Sequence, residues 1–377
     1  MNMGRSLINE IKTKNRRMIY DYIRESGQVS KQDILVRLRL SLPTITQNLN
    51  YLKERNLIDD SEKIKNTGGR SARAYRYIKD AKTAIGLYLT GKHISAVAIN
   101  LSGEVISDIR ERIKFDLDSE LYLKKLAEIV EKVKKEAKIG NNLLGVGIAL
   151  PGLISDDGGL VTYGYTLGFT GKTLEEIAKY IPYKCRLFHD SYVAGYMESW
   201  MDKRIQNGFY ISLNNSVGGS IIINNGVYEG NTQKGGEIGH MIIDPGIKQR
   251  CYCGKRGCFD TVCNAEILDS CTEGNLEEFF EKLRAGDPHL RKIWDRYLEN
   301  LALAIHNIRM LFDGVIILGG YIGSNIGEYL DDLCQRVDQR NPFGDRARDY
   351  LLECRYRVEV AAAGAAVYYI NQFLISI

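Results

Sequence analysis

The sequence predicts an α/β protein of two lobes, preceded by a small helical domain and interrupted in its second lobe by a cysteine-rich loop. Three observations predict it. Strand and helix patterns succeed one another twice along the chain, from residue 84 to 150 and again from residue 209 onward. The composition changes near residue 80: the first 80 residues carry 17 Lys and Arg against 9 Asp and Glu, a surplus of eight, so within an overall charge of +4 the remainder is acidic by four. Cys251, Cys253 and Cys258 crowd into eight positions, and His240 precedes them by ten intervening residues. A chain of 377 residues, 44% of them hydrophobic, is long enough for two or three domains with a large core.

The first residues show no apolar run of signal-peptide type, and no stretch of about 18 uncharged apolar residues occurs, so export and membrane spanning are not expected. A cytoplasmic location is the expectation. Outside the cluster, Cys185, Cys263, Cys271, Cys334 and Cys354 lie scattered, as suits reduced thiols.

Residues 14–26 place Met18, Ile19, Tyr22 and Ile23 at helical spacing, and Gly27 ends the pattern. Ser30 is the expected N-cap of a second helix through Leu38, with Ile34, Leu35 and Leu38 inward. Ser41-Leu42-Pro43 opens a third helix whose Ile45, Leu49 and Leu52 point to the core; proline is tolerated in a first turn. Its outward face is expected to offer Thr44, Thr46, Gln47, Asn48 and Asn50, short polar side chains that can exchange hydrogen bonds with base edges and phosphates. On the helix alone, the same residues would equally suit plain solvated surface. The next segment tips the balance toward DNA. Lys63 to Tyr77 reads as two strands around Thr67-Gly68-Gly69-Arg70, with Arg70, Arg73 and Arg76 near the tip. Helix, helix, polar helix and basic hairpin within one positive segment predict a winged helix-turn-helix over residues 1–80, with double-stranded operator DNA as its partner. Ser41, Thr44, Thr46, Gln47, Asn48, Arg70 and Arg73 are the candidate contacts. Inverted half-sites would require at least a homodimer, or a homotetramer.

The body divides into a first α/β lobe over 81–190 and a second over 191–377. The first reads as strands from Ala84, from Ile94 and from Glu104, a charged helix near 119–138, and the run Leu144 to Leu150 entering Pro151-Gly152. The second reads as strands at Phe209–Leu213 and Gly219–Ile223, a helix over 294–312, a strand over 314–320, and a last helix in AAAGAAVYYINQF. That last helix is expected either to return to the first lobe or to form a subunit interface. His240, Cys251, Cys253 and Cys258 offer one imidazole and three thiolates, a complete tetrahedral shell for structural Zn²⁺, while Gly254 and Gly257 let a short loop aim its sulfurs at one point.

Two α/β halves with a glycine turn in each resemble the actin-like, sugar-kinase-like (ribonuclease H-like) architecture. The stretch Glu237 to His240, reading Glu-x-Gly-His, and Cys251 to Cys258, reading Cys-x-Cys-Gly-x-x-Gly-Cys, make the chain resemble the ROK family (repressors, open reading frames and sugar kinases), in particular its repressor branch. The resemblance spans essentially the whole chain.

The resemblance bears first on catalysis. Where ROK kinases carry a phosphate loop Asp-x-Gly-Gly-Thr, this chain has Tyr88, Thr90, Gly91 and Lys92. Where they carry Gly-Thr-Gly-x-Gly-Gly-Gly, it has Asn214 to Ser220. Side chains in place of glycine block the approach of backbone amides to phosphate, so ATP use is not expected. The sugar side is better kept. His189-Asp190 stands where the kinases have Asn-Asp, the Asp being their general base; Asp190 could also act simply as a helix N-cap. The resemblance implies that Glu237 and His240 contact the sugar, with His240 serving zinc through its other nitrogen; a loop that touches the ligand through His240 and anchors a lobe is then expected to be the mechanical link between them. Pro151 and Gly152 would form the rim, with Thr166 or Phe169 nearby. Asp260 stands where the family has Glu. The expected function is a sugar-responsive transcriptional regulator, with an ATP-dependent sugar kinase bearing a DNA-binding domain as the alternative.

Overall fold

The structure, a computed structural model, describes residues 2–61, 63–64, 72–356 and 359–377. It opens with helix α1 (Asn2–Ser26), which reaches back well beyond the expected start at residue 14. Ile11, in the part added ahead of that start, is exposed, and so is Met18, which the spacing placed inward. Ile19 and Ile23 are buried as the spacing places them, Tyr22 is half-buried, and Tyr20 joins the buried face.

After strand β1 (Gln28–Ser30), Ser30 Oγ accepts the Asp33 amide while Asp33 accepts the Ser30 amide. This reciprocal capping box starts α2 (Lys31–Leu38). Ser41 caps α3 (Leu42–Glu54), its hydroxyl accepting from the Thr44 amide. Strands β2 (Ile58–Asp59) and β3 (Lys63–Ile64) and β1 all pair antiparallel with β4 (Ala72–Tyr77). Ile34, Ile45, Leu49 and Leu52 close the core between helices and sheet. The turn containing Arg70 lies outside the described residues.

The first lobe is built on β5 (Thr83–Leu89), β6 (His93–Asn100) and β7 (Val105–Arg112), an antiparallel meander. Helix α4 (Glu120–Glu136) then leads to β8 (Leu143–Leu150), parallel to β5. A small hairpin of β9 (Leu153–Ile154) and β10 (Val161–Tyr163) and a short helix α5 (Leu174–Ile177) precede β11 (Cys185–His189), parallel to β8. The sheet order is β11-β8-β5-β6-β7.

Helix α6 (Asp190–Met201) leaves this sheet for the second lobe, where β12 (Gly208–Leu213), β13 (Val217–Ile223) and β14 (Gly226–Tyr228) repeat the meander. Short helices α7 (Asp260–Cys263), α8 (Glu266–Asp269) and α9 (Leu276–Arg284) lead into α10 (Pro288–Leu311). That helix starts six residues before the expected position because Asp287 caps it and Pro288 fills its first turn. Then come β15 (Val315–Gly319), α11 (Gly320–Gly323), α12 (Leu330–Asp338), α13 (Ala347–Tyr350), β16 (Leu351–Glu353) and α14 (Val360–Ser376). The order β14-β13-β12-β15-β16 copies the first sheet strand for strand: a meander whose first strand also pairs in parallel with the fourth, and the fourth with the fifth.

Helix α14 returns to the first lobe, against β5, β8 and α6. A Cβ on Gly86 would lie 1.7 Å from the Ala362 carbonyl oxygen, and one on Gly364 only 1.9 Å from that of Val193, so backbone meets backbone on both sides. Ala361 to Val367 are buried, so this part of the helix packs inside the chain, while Ile375 near its end is exposed. Helix α1 rests on its end, with Arg16 Nη1 donating to the Ile377 carbonyl at 3.0 Å. Among the described residues no helix is long and apolar enough to cross a membrane.

Candidate ligand pocket and metal centre

The cysteine loop is shaped by two tight turns. Cys251 and Lys255 close the first through a backbone bond of 2.9 Å, with Gly254 at φ +85°. Gly257, at φ +77°, passes so near the Asp244 carbonyl that a Cβ would come within 2.3 Å of it. The ligand atoms of His240, Cys251, Cys253 and Cys258 consequently lie within 4.8 Å of one another. Tetrahedral zinc with Zn–S near 2.3 Å sets its sulfurs about 3.8 Å apart. The sulfurs of Cys253 and Cys258 stand 3.7 Å apart, and His240 Nδ1 is 3.7 Å from Cys251 Sγ. All four predicted ligands are therefore brought into one cluster, two of its edges close to the length a tetrahedral zinc shell requires, and the donor set fits the ion.

Between the lobes lies a pocket whose walls come from five segments: Pro151, Gly152 and Leu153; Tyr163 and Thr166; His189, Asp190 and Ser191; Ser212 and Ser216 to Gly218; and Glu237 with Tyr252. Asp190 anchors it. It is the first residue of α6 and not its N-cap, which is His189. Oδ1 accepts the Ser191 amide at 2.7 Å, and Oδ2 accepts the Tyr88 hydroxyl at 3.0 Å. Burial pushes the Asp190 carboxyl above its ordinary range, opposed by His189 and by the Tyr88 bond. His189 Nε2 stands 3.4 Å from Asp190 Oδ1 and 3.8 Å from Glu237 Oε1, an imidazole between two carboxylates. The pocket's volume is about 40 Å³, room for a few waters and too small for a sugar ring in this arrangement of the lobes.

Pro151, Gly152, His189, Asp190 and Glu237 all line this one pocket. Two expectations need correction. Asp260 is buried and aims Oδ1 at the Val217 amide, 2.7 Å away, instead of lining the pocket. Burial raises its carboxyl to about 6, against the pull of that bond and of His240. One methylene shorter than Glu, it stops at the backbone. His240 also lies behind the lining, its ring edge against Tyr252 at 4.9 Å between centroids. Of the two residues offered as alternatives, Thr166 lines the pocket and Phe169 packs in the core.

Sequence reasoning did not place Leu153, Tyr163, Ser191, Ser212, Ser216 to Gly218 or Tyr252 in the sugar pocket. Signals existed for Ser216 to Gly218, which lie in the Asn214–Ser220 stretch, for Ser191, which follows Asp190, and for Tyr252, which sits between Cys251 and Cys253.

Beyond Asp190 opens a larger cavity of about 640 Å³, lined among others by Tyr88, Thr90, Lys92, Arg110, Asn214 and Asn215. Asp190 and Ser212 border both spaces. Tyr88 is buried at the partition, its hydroxyl kept protonated by burial and by the Asp190 charge.

On α3, Gln47 is exposed and Thr44 and Thr46 half-buried, Thr46 accepting from Lys31 Nζ at 3.2 Å. Ser41 is exposed at the cap. Asn48 is not on this face. It is 5% exposed and donates to the Thr44 carbonyl at 2.9 Å, because its position, three residues after Ile45 and four before Leu52, falls on the buried stripe. Arg73 is exposed and pairs with Asp60 at 2.9 Å, which Lys53 also holds at 2.7 Å. Arg70 lies outside the described residues.

Residues 84–370 match the ROK family. The chain is 24% identical to the xylose repressor of Caldicellulosiruptor bescii over 356 residues, 88% of this chain and 89% of that one. It is 26% identical to the N-acetylglucosamine repressor of Escherichia coli O157:H7 over 271 residues, 69% of this chain and 65% of that one. Its fold superposes with a TM-score of 0.73 on a ROK family transcriptional regulator homologous to the E. coli MLC protein, at 23% identity and over 97% of each chain. A ROK family glucokinase from Streptomyces griseus, in complex with glucose and AMPPNP, superposes with a TM-score of 0.64 at 20% identity, over 76% of this chain and 98% of that one.

Proposed function

This chain belongs to the ROK family, and from that premise we propose that it is a sugar-responsive transcriptional repressor. Its N-terminal domain is a winged helix-turn-helix that holds operator DNA, its effector is a sugar bound between the lobes, and its loop carries one structural Zn²⁺. The observation that carries the reading is the setting of Asp190: a carboxylate at the floor of an interlobe pocket, faced by His189 and Glu237, with Tyr88 closing the side toward the larger cavity. Carboxylates and an imidazole together offer the acceptors and donors that sugar hydroxyls can pair with. Zinc, when bound to His240, Cys251, Cys253 and Cys258, supplies rigidity to the wall that presents Glu237 and Tyr252.

Coupling to DNA is supported by α6. Its first turn holds Asp190 and Ser191 in the pocket. At its other end Glu198 accepts the Arg355 and Tyr356 amides, and Asp202 pairs with Arg355 at 2.6 Å. Tyr356 in turn donates to the Gly103 carbonyl, and the adjacent Ser102 bonds the hydroxyl of Tyr77 on β4. Since the pocket admits a ring only when the lobes part, sugar and operator compete for the arrangement of the lobes; such coupling is typically about 1–3 kcal/mol. Symmetric operators call for at least a dimer. A thermal-shift screen of free and phosphorylated sugars, followed by operator titration with each stabilising sugar, tests the reading. It fails if no sugar that raises the melting temperature changes operator affinity.

The kinase alternative has one observation in its favour: Asp190 borders both the pocket and a 640 Å³ cavity. Against it stand Tyr88 and the side chains of Asn214 and Asn215. Sugar phosphate formed from ATP, Mg²⁺ and a sugar panel would establish it.

A further inference from the structure

Outside the pocket, the cleft mouth carries surface that a single sugar ring does not use. A groove of about 650 Å³ runs out from it, sharing Leu153 and Tyr163 with the pocket lining. At the junction, Tyr163 and Tyr165 pair at 4.6 Å between ring centroids, yet they are 36% and 65% exposed. Tyr252 is 41% exposed on the same rim. Three aromatic rings open to water beside a polar pocket are a binding feature in search of an apolar face.

The far wall is polar and fixed. Gln233, at the tip of the turn after β14, donates to Asp156 at 2.7 Å and to Glu229 at 3.1 Å, tying the second lobe's loop to the first lobe's hairpin. Asp156, Asp157, Thr162, Gln233 and Lys234 present both acceptors and donors. An ionic ligand would want one sign of charge. A neutral polyol wants both kinds of hydrogen-bonding group, and pyranose rings add the C–H faces that stack on tyrosine.

We propose that the effector is an oligosaccharide, with one terminal ring against Asp190 and the adjoining ring or rings laid over Tyr163 and Tyr165 into this groove. The inference rests on the proposal of a sugar effector and names the size class of that sugar. Titration calorimetry of the full chain would compare matched series: xylose, xylobiose and xylotriose; glucose, cellobiose and maltose; N-acetylglucosamine and its β-linked dimer. In the series that binds, the disaccharide is expected to bind about tenfold or more tightly than its monosaccharide, the equivalent of one or two aromatic stacks. Tyr165→Ala, and separately Lys234→Ala on the groove wall, should reduce the disaccharide to the monosaccharide's affinity while leaving the monosaccharide unchanged. A monosaccharide that binds as tightly as its oligomers, or a disaccharide advantage that survives both substitutions, overturns the inference and spares the sugar effector. Binding by no saccharide in any series overturns both.

Discussion

Asp190→Asn is the substitution on which the pocket's chemistry turns. A carboxylate offers about four acceptor positions. The Ser191 amide takes one on Oδ1 and the Tyr88 hydroxyl takes one on Oδ2, so about one on each oxygen remains for sugar hydroxyls. A hydrogen bond to a charged group contributes about 1.5–3 kcal/mol, so loss of one should weaken sugar binding roughly 10- to 150-fold. The fold should tolerate the change, since an amide relieves the burial of a charge even as it leaves one donor facing an NH₂ group. Calorimetry at pH 7.5 with the effector measures the loss, and thermal unfolding checks the fold. The pH dependence adds a second readout. Because burial raises the Asp190 carboxyl, wild-type affinity should fall as pH drops through that raised value and the acceptor becomes protonated. The variant should show no such slope. Binding within threefold of wild type, or an unchanged pH profile, would refute the role assigned to Asp190.

Three further outcomes are expected. Cys258→Ser should lose most of its zinc by atomic absorption and melt several degrees lower, and a full zinc complement in that variant would exclude the ligand set. Gln47→Ala should weaken operator binding in a fluorescence anisotropy titration with little effect on stability, whereas Asn48→Ala should cost about 1–2 kcal/mol in urea unfolding by removing a buried bond; the reverse pattern would put Asn48 back on the DNA-facing surface. Gly86→Ala forces a methyl group to 1.7 Å from the backbone of α14 and should destabilise the chain by about 3 kcal/mol or more in the same unfolding assay, and near-native stability would contradict the packing of that helix.

Features that depend on neighbours in the chain are legible in the sequence. Ser30 and Ser41 announce their helices because a cap acts over three residues, and the metal ligands stand out because three of them fall within eight positions. Asn48 is misplaced by residue type: its polarity suggests the outer face, but helical phase puts it inward, where the Thr44 carbonyl satisfies it. The pocket is half legible. His189, Asp190 and Glu237 sit in recognisable motifs, whereas Tyr163 reaches the same space only through the crossing of distant loops. The burial of α14 is open in the sequence too, since an alanine-rich helix suits a subunit interface as well as a core. Gly86 and Gly364 decide it, and their significance emerges only when the strand and helix are face to face.

Helix α6 has twelve residues and is about 18 Å long at 1.5 Å per residue. Pivoted by only about 5° at the Asp190 end, it would carry its far end roughly 1.6 Å sideways, more than the whole spread of hydrogen-bond lengths from about 2.7 to 3.2 Å. The contacts of Glu198 and Asp202 with Arg355 and Tyr356 have no slack of that size. On the proposed function, a ligand that tilts the helix about its first turn would be sensed at Glu198 and Asp202, and through Tyr356 and Ser102 at Tyr77, as contacts kept or contacts broken. Gain of this kind lets a regulator grade sugars by fit without any of them approaching the DNA.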